Sequence, residues 1–304
     1  MGELPRERET DSEEKEPIHL KEALASGYIN FLFGAGVNGS SFPNMRNGFE
    51  STKKELAKYG CRGLDIESDL RTLSEEDANK VIGIFIDEFN KIEPNRMCSS
   101  YDNLKNLMTT IYSIIDRTEN RQAYSKKINI FTLNYDRIVE GILDDAGYFY
   151  HIITANKDDT RAIPDVIGYD VVKKGFVPTF SVSKIHGSAE SNNRLSKERV
   201  ILPVKDKGGK ALSREFFRVL FKMKGELEKR NAILFIIGYS GADEDVNSII
   251  KETNGTGLRI YWLKYNNEDT GISDLNLNNI ITIDAGGQDS TKKLCDLFAE
   301  VNRS

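Results

Sequence analysis

Apolar residues along this chain fall into two kinds of pattern. Short runs of strand length occupy 28–33, 128–132, 182–185, 200–202, 232–237, 259–263 and 280–283. Several are apolar almost without a break, as strands covered on both faces require. Between them, apolar positions recur every three or four residues. This spacing runs through Ala78, Val81, Ile82, Phe85, Ile86 and Phe89, and again through Leu104, Leu107, Met108, Ile111, Ile114 and Ile115, which predicts two amphipathic helices. Asp102 is placed to cap the second. Shorter helices are expected at Leu20, Ala23 and Leu24 after Pro17, over 137–146, and from about Val246 onward.

Strands alternating with helices predict an α/β chain built on a Rossmann-like parallel sheet with helices on both faces. The stretch 44–127 is almost wholly helical and too long for a simple crossover, so it reads as a helical module inserted between the first two strands. Its apolar stripes are expected to be core. Residues 1–18 are dominated by charge, including Glu3, Arg6, Glu7, Arg8, Glu9 and Asp11, and too little apolar surface is available there to offset ordering. They are expected to be a disordered tail or a binding arm, with 19–304 forming one domain. No internal repeat is visible.

Composition narrows the functional classes. A net charge of −5 lacks the basic field that a phosphate backbone attracts, so a direct nucleic-acid partner is not expected. No apolar span is long enough for a membrane helix and no secretory segment stands out, which makes the cytoplasm the expected address. The three cysteines, Cys61, Cys98 and Cys295, are odd in number and far apart. They suit neither a disulfide framework nor a paired zinc site, and are expected to be reduced thiols.

Candidate chemistry gathers at the ends of predicted strands, where doubly wound sheets bind ligands. Gly34-Ala35-Gly36 follows the first strand and lets the backbone turn tightly beside a phosphate, although such a turn also occurs without a ligand. Thr132-Leu133-Asn134-Tyr135-Asp136 ends the second run, with three short polar side chains that either face a cleft or cap the next helix. His186 and Gly187 follow 182–185. A lone histidine is usually structural, but one at this position is also placed to exchange a proton near neutral pH. Gly238-Tyr239-Ser240-Gly241 follows the strongest run and leads into Asp243, Glu244 and Asp245, which suit a helix N-terminus. A nucleophile elbow is excluded, because Ala242 stands where its second glycine belongs.

These motifs, in the order GAG, TxNxD, HG and GxS, resemble the SIR2 superfamily, and the stretch 234–246 looks especially like bacterial SIR2-like proteins. The resemblance implies that Gly34, Ala35 and Gly36 wrap the pyrophosphate of NAD, with Asn38 where sirtuins usually carry serine. It implies that Asn134 stands near the nicotinamide ribose and that Asp136 and Thr132 support the same pocket. His186 becomes the catalytic histidine, Gly238 and Ser240 the phosphate and ribose turn, and Asn266 a contact to the adenosine ribose. Only Cys295 lies beyond the HG motif, so the four-cysteine zinc ribbon of sirtuin deacylases cannot be built, and no metal is expected.

NAD is therefore expected as substrate, cleaved to nicotinamide and ADP-ribose by Asn134 and His186. The alternatives are a deacylase or ADP-ribosyltransferase acting on a protein, or a sensor that binds NAD or ADP-ribose without consuming it. The same resemblance implies antiphage defence, a homo-oligomer, and a partner ATPase or helicase. The helical module is expected either to form that interface or to roof the pocket.

Overall fold

The computed structural model describes residues 27–63, 66–118, 126–154, 165–167, 179–200, 214–266 and 275–303, together with Leu20, Leu24 and Ile272. Strands β1 (Tyr28–Phe33), β2 (Lys127–Thr132), β3 (Tyr150–Thr154), β4 (Asp165–Ile167), β5 (Thr179–Lys184), β6 (Ala232–Ile237), β7 (Arg259–Lys264) and β8 (Ile280–Asp284) form one sheet in the order β4-β3-β5-β2-β1-β6-β7-β8. Seven strands run parallel, and β4 pairs antiparallel with β3 at the edge. Chain order reverses at β1: β2, β5 and β3 spread to one side and β6, β7 and β8 to the other. That arrangement defines a doubly wound sheet with a switch point at β1 and β6.

The helices are α1 (Glu50–Ala57), α2 (Ile66–Leu70), α3 (Glu75–Phe89), α4 (Ser99–Arg117), α5 (Ile138–Ala146), α6 (Arg214–Leu227), α7 (Glu244–Asn254) and α8 (Ser290–Arg303). The continuous apolar runs have the explanation their pattern suggested. In β6, Ile233, Phe235 and Ile237 join the core beneath α1–α5 and α8, while Leu234 and Ile236 join the opposite core beneath α6 and α7. Successive side chains of a strand point to opposite faces, so burial on both sides leaves no place for polar alternation.

Helices α1–α4 lie between β1 and β2 and pack into the same apolar cluster as Ile29, Phe31 and Phe33 of β1. Helix α3 begins where Ser74 accepts a hydrogen bond from the Asp77 amide, with Glu75, Glu76 and Asp77 favouring the positive end of the helix. Asp102 does not cap α4. The helix starts at Ser99 with Cys98 at its N-cap, and Asp102 falls within the first turn.

The run 200–202 appears only as a single antiparallel bridge from Val200 to Gly187, with 201 and 202 outside the described residues. Strands β3 and β4 were not anticipated, because Tyr150–Thr154 is short and interrupted by His151. Leu20 and Leu24 are helical and buried. The expectation for residues 1–18 lies outside the described residues. No described helix is long and apolar enough to cross a membrane.

Candidate active site

Sheet register sets the site. Lys184 pairs with Thr132, Thr132 with Phe33, and Phe33 with Ile237. The four motifs therefore leave four adjacent strands, β5, β2, β1 and β6, from one level at the carboxyl edge.

At β1 the chain turns through a short 3-10 helix, Ala35–Asn38. The Gly34 amide donates to the Ile237 carbonyl and the Gly36 amide to the Gly238 carbonyl. A Cβ on Gly34 would stand 2.3 Å from the Gly238 oxygen, and one on Gly238, whose φ is 64°, would stand 2.2 Å from the Val37 nitrogen. The glycines of two motifs thus serve each other, since only bare backbone lets the β1 and β6 loops approach this closely. Ala35 and Gly36 face outward at the turn, as does Ser240, while Asn38 is buried.

The loop after β2 is tied to that turn. Thr132 Oγ1 accepts from the Asn134 amide at 3.1 Å, and Asn134 Nδ2 donates to the Gly34 carbonyl at 3.1 Å. Asp136 accepts from Asn38 Nδ2 at 2.7 Å and from the Ile138 amide at 3.0 Å. It therefore caps the start of α5 and holds the β1 turn at once. Burial pushes its carboxyl group above the usual range, against the opposing pull of Lys184 and its two hydrogen-bond donors. The amide oxygen of Asn38, Oδ1, is buried without a hydrogen-bond partner among the described residues, and a buried acceptor in that condition is costly unless a ligand or water supplies a donor.

Beneath this loop Lys184 and Glu140 form a fully buried ion pair at 3.3 Å, and Lys184 also donates to the Asp136 backbone carbonyl. His186 is buried, with its Nε2 2.7 Å from Oδ2 of Asp243 and its ring 6.1 Å from that of Phe216. Asp243 Oδ1 accepts from the Val246 amide at 2.8 Å, capping α7. Burial pushes the Asp243 carboxyl up, but His186, the Val246 amide and Arg71 outweigh it and hold the group below its ordinary range. Arg71, in the turn after α2, pairs with Glu244 and Asp245 at 3.5 and 3.3 Å.

The loops of β1, β2, β5 and β6 thus bring together Gly34, Gly36, Asn38, Thr132, Asn134, Asp136, His186 and Gly238. Asn266 lies just past β7, one strand beyond β6 on the same edge, and is partly exposed. Sequence reasoning read Asp243 only as a helix cap and did not single out Lys184 or Glu140. A signal for Lys184 was present, since a lysine within a strand-length run between Val182 and Ile185, two residues before His186, needs a partner if that strand is buried. Asp243 carried none, because Glu244 and Asp245 have the same chemistry and remain solvent-accessible. The three cysteines are free, and no cluster of three or more metal-binding side chains occurs among the described residues.

Fold and site define a doubly wound α/β protein whose polar side chains converge at the switch point of the sheet. The family model for the SIR2-like domain matches residues 128–281, just over half of the 304 residues, and the chain belongs to that family. No curated protein matches it. Similar solved structures include one reported for the mechanism and regulation of Sir2 enzymes, at 12% identity and a TM-score of 0.49, covering 95% of this chain and 100% of that one. Another is a Sir2 homologue in complex with NAD, at 12% identity and a TM-score of 0.48, covering 98% and 97%.

Proposed function

We propose that this chain is an NAD⁺ glycohydrolase, converting NAD⁺ and water to nicotinamide, ADP-ribose and a proton. The observation that carries this reading is the convergence of Asn134 and His186, from separate strands, on one carboxyl edge beside the GAG turn. The unpaired Oδ1 of Asn38 fits a ligand of this kind, being a buried acceptor suited to a ribose hydroxyl or a carboxamide N–H.

NAD⁺ supplies a glycosidic bond whose leaving group already bears positive charge, so the protein has mainly to orient and to move a proton. Asn134, anchored through Nδ2 to the Gly34 carbonyl, presents its amide oxygen to the attacking water or ribose hydroxyl. His186 accepts the proton released in the attack. Asp136 holds the turn that carries Asn38. The remaining cofactor contacts are assigned to Gly34, Ala35, Gly36, Gly238 and Ser240, with Asn266 at the adenosine end. No metal is invoked.

In this reading the chain acts in the cytoplasm, depletes NAD⁺ in antiphage defence, and is controlled by assembly into a homo-oligomer or by a partner ATPase or helicase. The test is nicotinamide release from NAD⁺ by the purified protein, without any acylated peptide. His186→Ala and Asn134→Ala are each expected to lower turnover on the order of 10²–10⁴-fold while the fold survives. Full activity in His186→Ala would refute the assignment, consumption that requires a protein acceptor would move the reading to a transferase or deacylase, and tight NAD⁺ binding without consumption would make the chain a sensor.

A further inference from the structure

Helix capping accounts for only half of Asp243. Oδ1 receives the Val246 amide, and a serine, threonine or asparagine would do this equally well. Oδ2 instead lies 2.7 Å from Nε2 of His186, with the two side chains 2% and 1% exposed. A carboxylate is expensive to bury unless it is paired, so the cap alone does not explain its presence.

The geometry of the pair is also surprising from topology. His186 follows β5 and Asp243 follows β6, and β2 and β1 lie between those strands. The two loops therefore meet across the strand ends that carry Asn134 and the GAG turn. The cap holds one carboxylate oxygen, and the segment that carries it is held by the Tyr239 hydroxyl, which donates to the Asp243 backbone carbonyl at 3.0 Å, and by Arg71, which pairs with the two following acids.

We infer that Asp243 is the positioning residue for His186, orienting its ring and fixing its tautomer for proton transfer; this rests on the NAD⁺ hydrolase reading. A carboxylate beside Nε2 favours the neutral ring that carries its hydrogen on that nitrogen, which makes Nδ1 the basic nitrogen. Nδ1 then takes the proton lost by the attacking water, the imidazolium is balanced by the Asp243 charge, and the proton passes on to solvent after the products form. Through Arg71, the turn between α2 and α3 supports this pair from the helical region.

Asp243→Asn separates the two roles. Its side-chain oxygen still caps α7, while its amide N–H turns toward Nε2 and makes that nitrogen an acceptor, moving the ring hydrogen to Nδ1. With only three histidines in the chain, long-range ¹⁵N–¹H correlation spectra report each ring, and His186→Ala identifies the signal. The expected result is an Nε2–H tautomer in the wild-type protein and Nδ1–H in Asp243→Asn. In nicotinamide release, kcat falls on the order of 10²-fold or more with KM held within about threefold, Asp243→Ser loses as much, and Asp243→Glu recovers part. The same tautomer in both proteins, or undiminished kcat in Asp243→Asn with only a loss of thermal stability in Asp243→Ala, would overturn the inference and leave Asp243 as a cap. The tautomer is measured whether or not the protein turns over, so a wild-type chain that releases no nicotinamide counts against the hydrolase reading and not against the pair.

Discussion

At the scale of single residues, close approach and buried charge dominate the site. Gly34→Ala would drive a methyl group to 2.3 Å from the Gly238 oxygen. Backbone on both sides leaves little room to yield, so a loss of about 1–3 kcal/mol or more is expected, seen as a lower urea midpoint with an unchanged slope. Lys184→Met strands Glu140 without its partner in the core and is expected to cost about 3–5 kcal/mol. Adding Glu140→Gln should recover part of that loss. Both effects concern stability, in contrast to His186→Ala, whose loss belongs to turnover. The GAG and GxS glycines were legible in the sequence as special positions, but their partner was not. A phosphate and a facing glycine both ask for a missing Cβ.

At the scale of elements, a band of polar residues crosses the apolar sheet. His151 pairs with Ser181, Ser181 with Asn129, and Asn129 with Asn30. Helix α6 meets this band with Glu226, which accepts from Asn129 at 3.1 Å, and with Lys222, which donates to Ser183 at 3.1 Å. Burial, with Lys127 nearby, pulls the Lys222 ammonium down from 10.5 to about 7. Burial, followed by Lys222 and Lys127, pushes His151 down from 6.5 to about 4. In both cases the unfolded chain binds the proton more tightly, so these groups make stability rise with pH, from about 4 to 6.5 for His151 and from about 7 to 10.5 for Lys222. Lys222→Met removes the penalty that is fully present below pH 7. It is expected to raise stability at neutral pH by about 1 kcal/mol or more and to flatten the rise of melting temperature between neutral and alkaline pH, measured by calorimetry at several pH values. None of this was readable from periodicity, because a serine or asparagine within a strand looks the same whether it meets water or a helix.

At the scale of the molecule, the helices expected as an inserted module share their core with the sheet. Leu56, Leu70, Val81, Phe85, Leu104 and Met108 belong to the cluster that contains Phe31 and Phe235. Removing one layer would expose the other, so the described body should unfold as a unit. The single tryptophan, Trp262, lies in the opposite core, so its fluorescence and the helical circular dichroism should share one denaturation midpoint. Helical signal lost before the tryptophan signal would show a separately folding module. The sequence by itself determined most of the strands and helices and the position of the candidate motifs: strand and helix periods are short-range properties, and GAG, TxNxD, HG and GxS each stand at the end of a strand that can be recognised from its neighbours. Only the tertiary structure decided which of those residues touch. Asn38 meets Asp136 across 98 positions and Asn134 meets Gly34 across 100, and His186 selects Asp243 over the equally acidic Glu244 and Asp245. Such pairings depend on strand order and on which neighbour is withdrawn from water, and neither quantity exists until the sheet has closed.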